Sequence, residues 1–177
     1  DIVKKYHIDD TRISVTYNAA GELFKPINDV NATQLRNDLT NGLPFFIYAG
    51  ALHQRKNIAN MLRAYDAFRK KHSQPVKLLI AGAKMFADAC MESTFANMQF
   101  KEDVIFTGRL STENLAKAMA SSIALLYISL FEGFGIPIVE AMNVGVPVIT
   151  SNTSSMPEVA GNAALIVNPN SPEEIGD

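Results

Sequence analysis

Short, continuously apolar runs separated by amphipathic stretches restrict this sequence to very few architectures. FFIYA (45–49), VKLLIA (76–81), VIFT (104–107), IALLYI (123–128), VPVIT (146–150) and AALIV (163–167) read as strands, and ISVTY (13–17) as a further one. Most lack the polar alternation of a half-exposed strand, so both faces of the sheet must be covered, as in a parallel sheet flanked by helices. Between the runs lie helical patterns. The clearest places Ile58, Met61, Leu62, Tyr65 and Phe68 on one stripe and ends in the basic run RKKH. Further helices are expected over roughly 84–97, 112–120 and 137–144, and GELFKPINDVNATQ (21–34) reads as a connecting loop. Strand and helix in alternation imply an α/β fold, a Rossmann-like doubly wound parallel sheet.

The chain has 177 residues, 47% hydrophobic and 19% charged, which suits one globular domain. A formal net charge of -2 excludes a whole-domain positive field for nucleic acid or an anionic membrane. Cys90, the only cysteine, falls in a helical pattern, which excludes an internal disulfide framework and a cysteine-ligated zinc site. His7, His53 and His72 are too scattered for a metal site. No apolar run approaches the ~20 residues of a spanning helix and no secretory signal is present, so a cytoplasmic location is expected. The chain opens without Met on DIVKKYHI, the tail of a helix. It closes on SPEEIGD, where Ser171 suits an N-cap and Pro172 the first helical position. These ends lead us to expect a fragment of a longer polypeptide, truncated on both sides.

In open α/β sheets ligands bind beyond the carboxyl ends of the strands. After strand 45–49 come Gly50, a short loop, then Arg55, Lys56 and Asn57 ahead of the long helix. Two cations before a helix start are opposed by its dipole, and a bound anion reverses that penalty. The plain alternative leaves both side chains, and His53 beside them, in water. After strand 123–128 comes FEGFGIPIVE (131–140). Gly133 and Gly135 permit positive φ and close approach of a ligand, and Pro137 suits the first helical turn. The free N–H groups of residues 135 to 138, Pro137 excepted, would face an anion above the helix. Glu132 on the loop and Glu140 on the helix can accept from paired hydroxyls, which makes a sugar and a ribose natural partners. The alternative has Glu132 solvated and Glu140 complementing the dipole.

The remaining loops carry weaker signals. Ser111 suits an N-cap with Asn114 three residues on, in a segment where a nucleobase or only a capped turn would sit. Ser151 to Glu158 is rich in small hydroxyl residues able to line the same cleft, and Gly82-Ala83-Lys84 offers a glycine turn with a cation.

Taken together, ISVTYNA, YAG…RKNI, LLIAG, VIFTGRLSTENL, FEGFGIPIVEAMNVGVPVITSN and SSMPEVAGNAALIVNP resemble the C-terminal, donor-binding domain of retaining GT-B glycosyltransferases of family 4, the glycosyl transferases group 1. The glutamates of FEGFGIPIVE match that family's E-x7-E signature. The resemblance implies a nucleotide-sugar binding domain over 1–177, with the acceptor-binding N-terminal domain absent. It implies transfer of a hexosyl group from a nucleoside diphosphate sugar to a glycan or lipid-linked acceptor with retention, as in surface polysaccharide or lipopolysaccharide synthesis. By the same resemblance Glu132 contacts the donor sugar, Glu140 the ribose, and Arg55 and Lys56 the diphosphate. Gly50, Phe134, Gly135 and Ile136 approach the sugar and phosphates by their backbone, and Leu110 and Ser111 flank the base. No cofactor or metal is expected, nor any nucleic-acid partner, and the full-length protein is expected at the inner face of the membrane as a peripheral protein. A GT-B epimerase and a non-catalytic nucleotide-sugar module are the alternatives. Two departures stand out: Ala51 where many relatives carry Arg, and Ile128-Ser129 where Pro-Ser is frequent.

Overall fold

The computed structural model describes residues 2–83 and 89–177. In chain order the elements are α1 (Ile2–Tyr6), α2 (Asp29–Thr40), β1 (Phe45–Ala49), α3 (Ile58–Lys71), β2 (Lys77–Ala81), α4 (Ala89–Ala96), β3 (Val104–Gly108), α5 (Thr112–Ser121), β4 (Ala124–Tyr127), α6 (Ile136–Asn143), β5 (Val148–Ser151), α7 (Met156–Ala160), β6 (Leu165–Val167) and α8 (Pro172–Gly176). The strands form one parallel sheet in the order β3-β2-β1-β4-β5-β6. The order in which strands are added reverses between β1 and β4, which makes their carboxyl ends the topological switch point where such sheets open a crevice.

Burial explains why the strand sequences are continuously apolar. Phe45, Ile47, Tyr48, Leu78, Leu79, Ile80 and Leu125 are all fully covered. One helical layer contains α3, packed against α4 and α8; the other contains α2, α5 and α6. The α3 stripe works as its spacing demands: Ile58, Met61, Leu62 and Tyr65 are buried, each contributing about 1.5–3 kcal/mol by leaving water. Helix α3 ends in Arg69, Lys70 and Lys71, which complement its negative carboxyl end.

Two segments differ from expectation. The strand expected over 13–17 does not form. Val15 and Tyr17 stay exposed, and the segment has no place in a sheet whose edges are β3 and β6. The loop expected over 21–34 is a loop only to residue 28, because Asn28 caps α2 by accepting from Asn31 N at 2.9 Å. Only Ala32, Leu35, Leu39 and Thr40 of α2 are even partly covered among its apolar and short side chains, so its apolar stripe is narrow. Helix α4 begins at Ala89 in the description; the residues before it, Lys84 included, lie outside the described residues. Among the described residues no helix is long and apolar enough to cross a membrane.

Candidate donor-binding site

The site assembles where β1 and β4 end. Beyond β1 a single 3-10 turn, Gln54–Lys56, precedes α3. His53 is not merely solvated there: its Nδ1 accepts from Arg55 N at 3.2 Å and caps the turn. Asn57 takes a left-handed conformation (φ 60°), and its amide donates to Pro169 O at 2.7 Å, which anchors the start of α3. The backbone of the turn is tied to the loop after β4 through Leu130 N, which donates to Arg55 O at 2.8 Å.

The two cations and the first glutamate of the signature meet in one cluster. Lys56 Nζ donates to Glu132 Oε1 at 2.5 Å and to the Tyr127 hydroxyl at 2.9 Å. Arg55 Nη1 donates to Glu132 Oε2 at 2.8 Å and to Phe131 O at 2.9 Å. Lys56 and Glu132 are buried, with side chains 9% and 8% exposed, whereas that of Arg55 is 47% exposed. The ring of Tyr127 lies under the Lys56 ammonium, 4.9 Å from its centroid. The cluster carries two positive charges against one negative, a surplus of one, and the Arg55 guanidinium has more N–H donors than the two bonds its Nη1 makes here.

Protonation follows from these contacts. Burial pushes the Glu132 carboxyl upward, but the bonds from Lys56 and Arg55 outweigh it and hold the group below the usual carboxylate range. Burial lowers Lys56, and Glu132 partly restores it. Tyr48 and Tyr127 are both pushed up, first of all by burial.

Glu140 behaves in the opposite way. It sits half-buried on α6, and burial alone raises its carboxyl. A raised folded pKa contributes stability below the ordinary glutamate range that is lost as pH rises through the folded value; the depressed pKa of Glu132 contributes stability above that range that is lost on acidification. Glu140→Gln is therefore expected to raise the melting temperature by more at pH 7 than at pH 4. Equal gains at both values would show that Glu140 is not strained by burial.

The backbone between the glutamates is set by Gly135, which caps α6 at φ 107°. That conformation favours glycine, and a Cβ there would also stand a tight 3.1 Å from Ile138 Cδ1. Gly133 does not take the positive φ expected of it. The amide of Ile138 is not free, since it donates to Gly135 O at 2.9 Å. Gly50 and Leu110 line one cavity of about 380 Å³ with Ala51, Gly82, Arg109 and Thr112, beyond β1, β2 and β3. Ser111 caps α5 by accepting from Asn114 N at 3.2 Å. The ring of Phe134 lies 6.2 Å from that of Tyr17, centroid to centroid, and the Tyr17 hydroxyl donates to Glu158 at 2.8 Å. The hydroxyl-rich stretch after β5 runs into α7 and hydrogen-bonds to the loop that carries Glu132.

Tyr127 is the residue that sequence reasoning missed. Its only signal is an aromatic residue closing an apolar strand, and nothing local announces that it will meet Lys56. Ile128, at the position where Pro is frequent, is fully buried beside Ala64, Val167 and Ile175.

Comparison with known proteins gives the family and the fold. The sequence model described as "Glycosyl transferases group 1" matches residues 31–177. An O-antigen chain mannosyltransferase B of Escherichia coli is 33% identical over 131 residues, 74% of this chain and 34% of that protein. The O-antigen chain mannosyltransferase RfbU of Salmonella typhimurium is 31% identical over 168 residues, 95% of this chain and 43% of that protein. This chain thus spans well under half the length of either relative. Among solved structures, Anabaena Alr3699/HepE in complex with UDP and glucose superposes with a TM-score of 0.80 at 20% identity, over 92% of this chain and 45% of that one. The shared fold is the Rossmann-like half of a GT-B glycosyltransferase.

Proposed function

This chain belongs to the glycosyl transferases group 1 family, and we propose that it forms the nucleotide-sugar half of a retaining glycosyltransferase. The observation that carries this reading is the Arg55–Lys56–Glu132 cluster, with its surplus positive charge, at the switch point of the sheet. Arg55, the exposed cation, takes the diphosphate together with the start of α6. Lys56, buried, holds Glu132 in place beside the sugar, and Glu140 accepts from the ribose. As the glycosyl bond breaks, the leaving diphosphate gathers negative charge, and positioned cations and amides lower the barrier electrostatically. The cavity beside Leu110 and Ser111 receives the base. Both relatives are named O-antigen chain mannosyltransferases, which favours a mannosyl donor and a surface-polysaccharide acceptor, handled at the inner face of the membrane. HepE, solved with UDP, supports a nucleoside diphosphate as the ligand class.

Calorimetric titration of the chain with UDP-, GDP- and ADP-sugars tests the reading. At least one is expected to bind, and Arg55→Ala to weaken it by roughly 1.5–3 kcal/mol, the range for a hydrogen bond to a charged group. Binding that is indifferent to Arg55 would remove the diphosphate from this site.

A further inference from the structure

The loop that carries Glu132 is held by a row of hydroxyls from a single neighbouring run. Thr150 Oγ1 donates to Tyr127 O at 2.8 Å, Ser151 Oγ to Ser129 O at 2.6 Å, and Thr153 Oγ1 to Leu130 O at 3.1 Å. Ser154 Oγ donates to Glu132 O at 2.6 Å, and the single hydroxyl proton of Ser155 goes to Phe134 O at 2.8 Å, with Glu132 O 3.1 Å from the same oxygen. Ser154 Oγ also accepts from Glu132 N at 3.2 Å.

The first three of these bonds already tie the end of β4 to β5. The last two residues do something more. Ser154 stands at φ 56°, a left-handed conformation that costs a non-glycine residue roughly 1–2 kcal/mol. Such strain persists where surrounding bonds over-determine it, and it gathers at functional sites. In a trans peptide the carbonyl of one residue and the N–H of the next point in opposite directions. Turning Glu132 O toward the serines therefore turns the Gly133 N–H away from them, and turning Phe134 O toward Ser155 does the same to the Gly135 N–H. Neither amide donates a hydrogen bond among the described residues.

We propose that Ser154 and Ser155 are positioning residues that aim the amides of Gly133 and Gly135 at the diphosphate of the donor, acting through the carbonyls they hold. The proposal rests on the donor-site reading above. It divides the labour of the loop: side chains supply the surplus charge, and two serines that never touch the ligand orient the neutral donors. Their bonds hold the main chain of Glu132 and Phe134, so the same serines also fix the backbone from which the Glu132 carboxylate reaches Lys56.

Ser154→Gly discriminates this role from a merely structural one, because glycine is at ease at positive φ. With the 177-residue chain, melting temperature is measured beside calorimetric affinity for UDP, GDP and ADP and for the matching nucleosides. Ser154→Gly is expected to keep or raise the melting temperature. It is expected to weaken whichever diphosphate the wild-type chain binds by about tenfold, a loss of one net hydrogen bond, and to leave nucleoside affinity unchanged. Ser155→Ala should show the same selective loss, and Ser155→Thr should restore binding. Diphosphate affinity at the wild-type level in Ser154→Gly overturns the proposal, as does an equal loss for diphosphate and nucleoside. A wild-type chain that binds none of the three diphosphates overturns the donor-site reading and this proposal with it; a wild-type chain that binds while the serine variants bind equally well overturns the proposal alone.

Discussion

Replacing Glu132 with alanine is expected to destabilise the fold by about 3–5 kcal/mol, the range for removing one partner of a buried pair. Exposed ion pairs are worth only about 0–1 kcal/mol, so burial decides the size of the effect. Glu132 and Lys56 are both covered, and without the carboxylate Lys56 retains only the Tyr127 hydroxyl as a partner. Part of the loss is relieved if Lys56 gives up its proton, a step its burial already favours. The backbone bonds of Ser154 and Ser155 survive the substitution, since they go to the main chain of residues 132 and 134. Urea denaturation at pH 7 measures the loss, and a change below 1 kcal/mol would mean that the cluster behaves as a surface pair. Nucleoside diphosphate affinity is expected to hold or rise in the same variant, because Arg55 is released from a competing anion. A double-mutant cycle with Lys56→Met isolates the coupling between the two side chains.

Gly82→Ala is expected to destabilise the protein by about 3 kcal/mol or more, at the upper end of overpacking. A Cβ at Gly82 would stand 1.7 Å from the carbonyl oxygen of Gly50 and 2.7 Å from its carbon. The obstruction is the Gly50 carbonyl, main chain rather than the far end of a flexible side chain, so it cannot simply swing aside. The strands are locked there: Gly50 N donates to Ala81 O, Gly82 N to Gly108 O and Leu52 N to Ala83 O, each at 2.9 Å. Accommodating a methyl must part β1 from β2 at the rim of the site, and the cavity beside Leu110 is lost with stability. Gly133→Ala is the control, since a Cβ there meets nothing within 4 Å. Equal melting temperatures for the two variants would show that the Gly50–Gly82 contact is soft.

The fold was largely legible because a parallel sheet writes its strands as unbroken apolar runs. FFIYA became β1 without change of limits, and IALLYI contains β4 entire. ISVTY is rich in β-formers but interrupted by Ser14 and Thr16, and it failed because local propensity cannot tell whether a sheet edge will be available to it. Helix α2 was hidden by its polarity: the Asn28 cap was present in the sequence, but the apolar positions behind it are too few to mark a period. At the site, Glu132 and Glu140 were legible from a local spacing, and Arg55 and Lys56 from charges set against a helix dipole. That Arg55 and Lys56 hold Glu132, that Tyr127 supports Lys56, and that Ser154 is strained were not legible. The first two arise from the pairing of β1 with β4 and the third from that of β4 with β5, which no local pattern records.

That pairing also sets an order of events in time. Strands β1, β2 and β3 are joined by connections of ordinary length, whereas β1 meets β4 only after the chain between them has returned, and Lys56 and Glu132 stand 76 positions apart. Contacts of such separation are slow to form, because the entropy of closing the intervening loop is lost before they contribute. A refolding chain in which only the first three strands have paired has the two cations but not yet the start of α6, which follows β4 and faces the diphosphate beside them. Affinity for an anionic nucleotide therefore emerges at the step that closes the seam between β1 and β4, later than the helices, and it serves as a clock for the completion of the sheet.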